Sequence, residues 1–526
     1  MFRALVTAIA SHPVGALPAP SRQALAVEAE LKALLNGRVS HTDQDRLSYA
    51  RDMWPLALIW IRAGRTPPPP DLICWPKSDA EVAQVIALAR KEKLAVIPYG
   101  AGSGVCGGTW ALHGGITLDL KRFDTISPVD QQHHTVEVGA GVMGETLERR
   151  LNASGWTLGH FPSSIYMSTV GGWLAARSAG QLSSKYGKIE DMVASVTFIT
   201  GTGEKIVTPE RPFSGPDLAQ VLIGSEGTLG VFTAAKLRVF PIAAAQVFHG
   251  FEFKSVNDGL EAIRQIFRAG LRPAVTRLYD PFDTAIVGKG KPAAKAKAEA
   301  GQLKKRLLPA LLRVVAPQAL GRPRLFNYAT HLFSRSRLIL MFEGEPSRCA
   351  EEDAAARAIC ARLSGADLGE EPGKHWYAKR YDVSYRMSKV IDAGAFADTM
   401  EVATTWDKVY AVYEKVHQAA SAHAFVLCHF SHAYLEGCSL YFSFVGSGST
   451  QAELLERYDA LWRDALSAAV SAGANVSHHH GVGIVKARAL QDSLNEGRTL
   501  LAALKRHYDP DGVMNPGKLG LPGMAT

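Results

Sequence analysis

Apolar and polar positions along this chain repeat with two periods, and the switches between them outline its elements. Val82, Val85, Ile86 and Ala89 recur at helical spacing behind Ser78, and Glu81 three positions after Ser78 completes a capping box, so the pattern predicts a helix there. The apolar run Leu94-Ala95-Val96-Ile97-Pro98 predicts a short strand that leads into a glycine cluster, and further strand-like runs lie at Gly115 to Leu120, Thr135 to Val138 and Ser195 to Thr200. Short strands and helices mixed in this way across roughly residues 65 to 243 predict an α+β domain. From Gln246 to about Ala420, helical patterns such as Val256 to Ala269 alternate with strand runs such as Leu338 to Glu343. Beyond His423 come the strand runs Ala424 to Phe430 and Ser439 to Phe444 and long helical stretches. The four prolines Pro67 to Pro70 predict a boundary after a helical N-terminal segment, residues 1–65. The expected organisation is then 66–243, 244–422 and a C-terminal part, 423–526, whose turn-rich motif Asp509 to Lys518 closes the chain; no internal repeat is visible.

Length changes this picture little: 526 residues exceed one compact core and call for two or more lobes. A hydrophobic fraction of 47% and a charged fraction of 21% exclude wholesale disorder, a collagen-like chain and a polytopic membrane protein. No run of 18 apolar residues exists, so no spanning helix is expected. Arg3 and the short apolar stretch Ala4 to Ala10 make a poor secretory signal, and the ending Gly523-Met524-Ala525-Thr526 is not a Ser-Lys-Leu peroxisomal tail. The six cysteines are scattered without CxxC spacing, which predicts free thiols in a reducing, cytoplasmic compartment.

Pro98 to Gly108 reads PYGAGSGVCGG. Such a turn brings backbone N–H groups close to phosphate oxygens, because no Cβ intervenes and positive φ is allowed. A tight surface turn is the other reading of the same residues. The cluster is neither a Walker loop, which needs Gly-Lys-Ser/Thr, nor a GxGxxG that opens a helix directly. Near the end, Ser477 to Gly483 reads SHHHGVG. On an extended segment His478 and His480 share a face while His479 points away, and imidazoles suit proton transfer or recognition of a partly charged headgroup. A surface histidine run and a metal site are the alternatives; no outside carboxylate is implied by spacing, and no metal is expected. The Tyr434 phenol, with a pKa near ~10, would need help to act as a base, and is otherwise a core tyrosine with a satisfied hydroxyl. An arginine fork, at Arg277 or Arg386, suits phosphate and carboxylate alike, and a solvated surface arginine is its plain alternative.

Pro162 to Gly172 (PSSIYMSTVGG), Ala176 to Ala179 (ARSA) and Ile223 to Phe232 (IGSEGTLGVF), taken in order with PYGAGSG and the closing DPDGVMNPGKL, resemble the FAD-binding flavoproteins of the vanillyl-alcohol oxidase and p-cresol methylhydroxylase superfamily over about residues 66 to 520. The stretch Phe161 to Val193, Ser214-Gly215-Pro216-Asp217 and SHHHGVG are most similar to its alkyldihydroxyacetonephosphate synthase branch. The resemblance implies a two-subdomain FAD-binding domain of the vanillyl-alcohol oxidase type and a substrate, or cap, domain with an antiparallel sheet and flanking helices. It places Pro98, Gly100, Ala101, Gly102, Ser103 and Gly104 at the FAD pyrophosphate. Ser164, Ser168, Thr169, Arg177 and Ser178 then belong to the isoalloxazine and ribityl region, and Glu226, Gly227, Gly230 and Val231 to the adenine side. The glycine loop has no His, so FAD is expected to be noncovalent, with Cys106 a small buried residue rather than a thioether. The implied activity is exchange of the acyl group of acyl-dihydroxyacetone phosphate for a fatty alcohol through an adduct at flavin N5, as in ether-lipid synthesis. Tyr434 would transfer the proton with help from His478, His479 and His480, Arg386 would anchor phosphate, and Arg277 would orient this shell. The alternative is an FAD-linked dehydrogenase or oxidase of a 2-hydroxy acid or alcohol. A nonenzymatic flavin- or lipid-binding protein would leave Tyr434 and the histidines idle.

The net charge of +8 has an address. Between Lys289 and Arg324 ten cations face one acid, Glu299, a net +9 that leaves the rest of the chain near neutral. Leu303, Leu307, Leu308, Leu311 and Leu312 accompany the cations, the composition of a basic amphipathic element able to lie on an anionic bilayer; a solvated insertion is the alternative. The expected partners are a small-molecule or lipid-like phosphate substrate, the membrane surface through 289–324, and a second copy of the chain in a homodimer, with no nucleic acid.

Overall fold

The computed structural model describes residues 9–210, 214–287, 323, 327, 335–382 and 387–523. The chain divides into two compact units, Ile9–Ile242 with Val476–Thr526, and Ala243–Asn475. The division falls at 242/243 and 475/476. Of the expected C-terminal part, residues up to 475 therefore belong to one unit and the remainder to the other.

The first unit opens with α1 (Arg22–Leu34), whose N-cap Ser21 accepts from the Ala24 amide and whose face Ala24, Val27 and Leu31 is buried. Strand β1 (Val39–Ser40) pairs antiparallel with β2 (Leu72–Cys74), joining the segment from Ile9 onward to the same sheet as the glycine-rich region. Helix α2 (Asp79–Lys91) is capped by Ser78 Oγ, which accepts from the Glu81 amide at 3.3 Å. The reciprocal arm of the expected capping box is displaced by one residue: the Glu81 carboxylate accepts from the Lys77 amide at 2.7 Å and pairs with Arg38 at 2.6 Å. Strands β3 (Val96–Tyr99) and β4 (Ile116–Asp119) complete a four-stranded sheet in the order β1-β2-β4-β3, with β4 parallel to both neighbours. Its core joins Val27 and Leu31 of α1, Val82 and Val85 of α2, and Val513 and Met514 of the chain's tail. The Val96 amide donates to Val513 O at 2.8 Å, so the terminal motif extends the sheet beside β3. Pro67 to Pro70 are buried, and Pro70 O accepts from the buried Arg46 guanidinium at 2.8 Å. They seat the N-terminal segment on this unit.

A second, antiparallel sheet of the same unit contains β5 (Thr135–Gly139), β6 (Val193–Thr200), β7 (Lys205–Val207) and β8 (Gly230–Arg238), in the order β7-β6-β8-β5. The short helix α3 (Val170–Ala176) packs against β8 and β5.

The other unit is built on one antiparallel sheet of seven strands. These are β9 (Ala245–Phe253), β10 (Val275–Tyr279), β11 (Ser336–Gly344), β12 (Ala366–Gly369), β13 (Ala395–Thr405), β14 (Phe425–Ser431) and β15 (Gly437–Ser447), ordered β12-β9-β11-β10-β14-β15-β13. The pairing register decides which side chains share a face. Leu338, Leu278, Phe430, Leu440 and Val402 form one cross-strand row, and α4 (Val256–Arg268) packs on that apolar face, with Gly259 against Leu278. The adjacent register positions put Arg337, Tyr279, His429, Tyr441 and Glu401 in a row on the opposite face. Helices α5 (Pro346–Arg362), α6 (Val409–Ala420) and α7 (Gln451–Ser471) join shorter ones at Pro281–Val287, Glu371–Lys379 and Met387–Asp392.

The architecture is the expected α+β one, with two four-stranded sheets and two two-stranded ones in the first unit, and an antiparallel sheet with flanking helices in the second. Among the described residues no helix is long and apolar enough to cross a membrane. All six cysteine side chains are buried and none forms a disulfide. The basic stretch 289–324, apart from Pro323, and Arg386 lie outside the described residues.

Candidate active site

Strand β3 delivers Pro98 and Tyr99 to the glycine loop. A Cβ on Gly100 would stand 2.3 Å from Thr169 Oγ1, and Gly102 takes φ +66° with a Cβ position only 2.0 Å from the Tyr99 hydroxyl. No side chain fits at either position, so the loop presents bare backbone at these two glycines. Among the described residues the amides of Gly100, Ala101, Gly102, Ser103 and Gly104 donate to no protein acceptor, whereas buried or turn amides normally find one. A cradle of unclaimed N–H groups fits the oxygens of a diphosphate. The Lys121 ammonium donates to Gly100 O at 3.0 Å and adds positive charge beside it.

The structure gathers the other motif segments of the first unit around this loop. Thr169 caps α3, accepting from the Gly172 amide at 3.3 Å, and so reaches the loop from the helix N-terminus. Ser168 is buried; its hydroxyl donates to Ser164 O at 2.9 Å and accepts from Trp173 Nε1 at 2.8 Å, so it holds the segment together. Arg177 ends α3 in the left-handed conformation at φ +52°. Its guanidinium is committed to Gln220 Oε1 at 3.0 Å, Gln220 O at 2.8 Å and Glu190 at 3.4 Å. Ser178 follows, with its hydroxyl 3.2 Å from His160 Nε2.

Glu226 joins two distant motifs. Its carboxylate accepts from the amides of Val482 and Gly483, the latter at 2.7 Å, and so clamps the turn after the histidine triplet. Burial raises its pKa, and the two amides oppose that rise. Asn515 of the tail donates to Gly108 O at 2.9 Å and to Glu226 O at 2.7 Å, tying the glycine loop, the IGSEG turn and the tail into one frame. Gly227 touches Pro98, while Gly230 and Val231 begin β8, with the Val231 side chain in the core. Cys106 is buried, with its thiol 3.6 Å from Gly481 O.

The histidines do not alternate. Residues 478–480 bend instead of extending, so His478 Nδ1 lies 3.0 Å from His479 Nδ1, and the His479 and His480 rings meet edge to face at 4.5 Å. The expected pairing of His478 with His480 on one face is replaced by a contiguous edge-to-face cluster. The clamp at Val482 and Gly483 and the left-handed Gly481 and Gly483 impose the bend.

In the second unit Tyr434 occupies the turn between β14 and β15, where its amide donates to Gly437 O at 2.8 Å and Trp406 Nε1 donates to Tyr434 O at 3.2 Å. Arg277 projects from β10 with its guanidinium over the Tyr279 ring at 5.2 Å and the Trp376 ring at 5.8 Å, and its buried Nε has no hydrogen-bond partner among the described residues. Asp283 and His429, which sequence reasoning missed, stand beside it, 3.7 Å apart. Burial raises the Asp283 carboxyl to about 6 against the pull of Arg277. Burial also pushes His429 well below its ordinary value, helped by Arg277. His429 is stacked on Tyr441 at 4.7 Å. Neither residue belongs to a motif; only the period-2 alternation through Cys428-His429-Phe430 hinted that His429 leaves the apolar face. Arg277 and Tyr434 thus belong to one unit and the histidines to the other.

The chain matches two family models, an FAD binding domain over residues 70–208 and the C-terminal domain of FAD linked oxidases over residues 242–519. It is 30% identical to the alkyldihydroxyacetonephosphate synthase of Dictyostelium discoideum, over 88% of this chain and 75% of that one. A solved alkyldihydroxyacetonephosphate synthase superposes with a TM-score of 0.74 at 26% identity, covering 96% of this chain and 87% of the other. p-Cresol methylhydroxylase shares the fold, with a TM-score of 0.70 at 14% identity, covering 98% and 99%.

Proposed function

The chain belongs to the FAD-linked oxidases, and from that membership we propose that it is an FAD-dependent enzyme of the alkyldihydroxyacetonephosphate synthase type, replacing the acyl group of an acyl-dihydroxyacetone phosphate by a fatty alcohol. The observation that carries this reading is the likeness to the synthases along most of the chain, on the cap side as well as the cofactor side.

The glycine loop fits FAD: Gly100, Ala101, Gly102, Ser103 and Gly104 would receive the diphosphate on their unclaimed amides. Ser164, Ser168, Thr169, Arg177 and Ser178 would flank the ring and ribityl chain. Pro98, Glu226, Gly227, Gly230 and Val231 would support the rest, several of them through backbone, since Ser168, Arg177 and Glu226 already spend their side chains on protein partners. When bound, FAD supplies an electron-poor ring that can take up and return an electron pair. The protein's own work is binding and proton transfer. Tyr434, held in a tight turn by Trp406, is assigned the proton that must leave the substrate carbon and return, and the contiguous His478, His479 and His480 are assigned to assist proton transfer. Arg386 is assigned to the substrate phosphate, and Arg277 to orienting the polar shell of the cap unit.

Oxidation of a 2-hydroxy acid is the second reading, because the family includes oxidases. Anaerobic mixing of the FAD-loaded protein with acyl-dihydroxyacetone phosphate and a long-chain alcohol should release fatty acid and form the ether product. Lasting bleaching of the flavin by lactate or glycolate, without such exchange, would establish the oxidase instead. The cation-rich stretch 289–324 supports peripheral binding to an anionic bilayer; unchanged liposome binding after deletion of residues 289–315 would remove that assignment.

A further inference from the structure

His160 is buried, 1% exposed, beneath the turn that carries Ser178. Its ring meets Trp173 edge-on at 4.6 Å, its Nε2 lies 3.2 Å from Ser178 Oγ, and its Nδ1 is buried with no hydrogen-bond partner among the described residues. Burial, and the charge of Lys188, push its pKa down to about 3, so the imidazole is neutral and carries a single N–H. On Nδ1 that proton would be an orphaned buried donor, the rarer kind of unsatisfied group. On Nε2 it finds Ser178 Oγ. The network therefore selects the Nε2–H tautomer.

That choice decides what Ser178 can do. With its oxygen accepting from His160, the serine proton is left to point elsewhere, and Ser178 Oγ makes no other hydrogen bond among the described residues. The backbone of Ser178 is pinned on both sides, its amide to Trp173 O at 3.0 Å and its carbonyl to the Ile189 amide at 3.1 Å. It directly follows the C-cap of the helix whose other end, at Thr169, touches Gly100 of the glycine loop. The half-buried hydroxyl is thus a donor of fixed position, oriented from behind.

We propose that His160 is a positioning residue for the cofactor: by donating from Nε2 it commits the Ser178 hydroxyl as a donor to an acceptor atom of the flavin ring, a carbonyl oxygen or an imine nitrogen. This rests on the reading that FAD binds in the first unit with residues 176–179 facing it.

The test is titration of the apoprotein with FAD, followed by flavin fluorescence and by the visible spectrum of the complex. Ser178→Ala weakens FAD binding about fivefold to tenfold, the worth of one hydrogen bond, and shifts the flavin absorption maxima. His160→Asn, which has no donor at the Nε2 position, reproduces both changes. His160→Gln, whose amide reaches that position, keeps both near wild type. The double variant His160→Asn, Ser178→Ala binds no more weakly than Ser178→Ala alone. Additive losses, equal behaviour of the Gln and Asn variants, or an unshifted spectrum in Ser178→Ala would overturn the proposal. Circular dichroism of each apoprotein identifies a variant that has merely unfolded, and the Gln–Asn contrast between two small polar residues stands without any apolar replacement. Flavin binding is read without turnover, so this pattern in a protein that exchanges no acyl group would sink the substrate assignment alone; a wild type that takes up no FAD would sink both.

Discussion

The glycine loop and the polar face of the cap sheet both present polar groups, by opposite means. The loop offers backbone: its chemistry is the N–H groups of five consecutive residues, and the side chains around it, Thr169, Tyr99 and Asn515, serve to keep that backbone in place. The sheet face offers side chains contributed by strands far apart in sequence, Arg337, Tyr279, His429, Tyr441 and Glu401, aligned only by the register of five strands. A backbone site fails when a Cβ enters it. A register site fails when one member of a coupled set of charges is removed. The first should therefore be read out in flavin content, the second in turnover and pH dependence with the flavin in place.

The largest effect expected is at Tyr434. Tyr434→Phe leaves FAD content unchanged and lowers the exchange rate by roughly 10²- to 10⁴-fold, the usual worth of a positioned proton-transfer group. Loss of flavin in this variant would dissolve the contrast between the regions. Next comes Gly100→Val, whose first side-chain carbon would sit 2.3 Å from Thr169 Oγ1. Overpacking at this level costs about 3 kcal/mol, so FAD affinity in the variant falls about 100-fold. Gly100→Ala combined with Thr169→Ala should recover part of the loss that Gly100→Ala shows alone, because removal of Oγ1 opens the space.

A smaller, signed effect separates the cap unit by pH. The folded-state carboxyl of Asp283 is raised to about 6 from an ordinary 3.8, so the folded protein holds that proton more tightly than the unfolded chain. Its contribution to stability is then fully present below about pH 4 and is lost as pH rises toward 6. Asp283→Asn mimics the protonated carboxyl at all pH. Urea denaturation across this range should show the variant gaining on wild type by about 1–3 kcal/mol between pH 4 and 6, with no further gain above. A difference that does not change with pH would mean that the Arg277–Asp283–His429 group is not the coupled set its geometry indicates. FAD content is expected to be the same in both proteins.

How legible each region was in the sequence follows from the same contrast. The cradle is local, so its glycines, Thr169 and the IGSEG turn stand in contiguous motifs, and the strands and helices around them were visible in their periods. Two things were not. The sequence by itself leaves an extended histidine triplet the natural expectation, and the clamp that bends it comes from Glu226, more than 250 positions earlier in the chain. Pro67 to Pro70 predict a boundary after the N-terminal segment, while the buried Arg46 and the pairing of β1 with β2 are contacts that composition does not show. On the sheet face, Asp283 and His429 carry no motif, and their proximity exists only once β10 and β14 are paired.

Asn515 gives the finest test of the backbone site, because it combines two roles that substitutions can divide. It sits in the left-handed region at φ +38°, which Asn tolerates better than most residues, and its amide group donates to Gly108 O and Glu226 O. Asn515→Ala loses both hydrogen bonds and adds backbone strain; Asn515→Gly loses the same bonds without the strain. Against wild type, the Gly variant should be less stable by about 1–2 kcal/mol in urea denaturation, the value of the two bonds, and the Ala variant by about 1 kcal/mol more. FAD affinity should fall by only a few-fold in each, since the frame loosens while the five loop amides remain. If the Gly variant matches wild type, the tail holds the glycine loop through its backbone contacts with Val96 and the Lys518 bond to Trp110 O, and the Asn515 side chain adds nothing to the frame around the cradle.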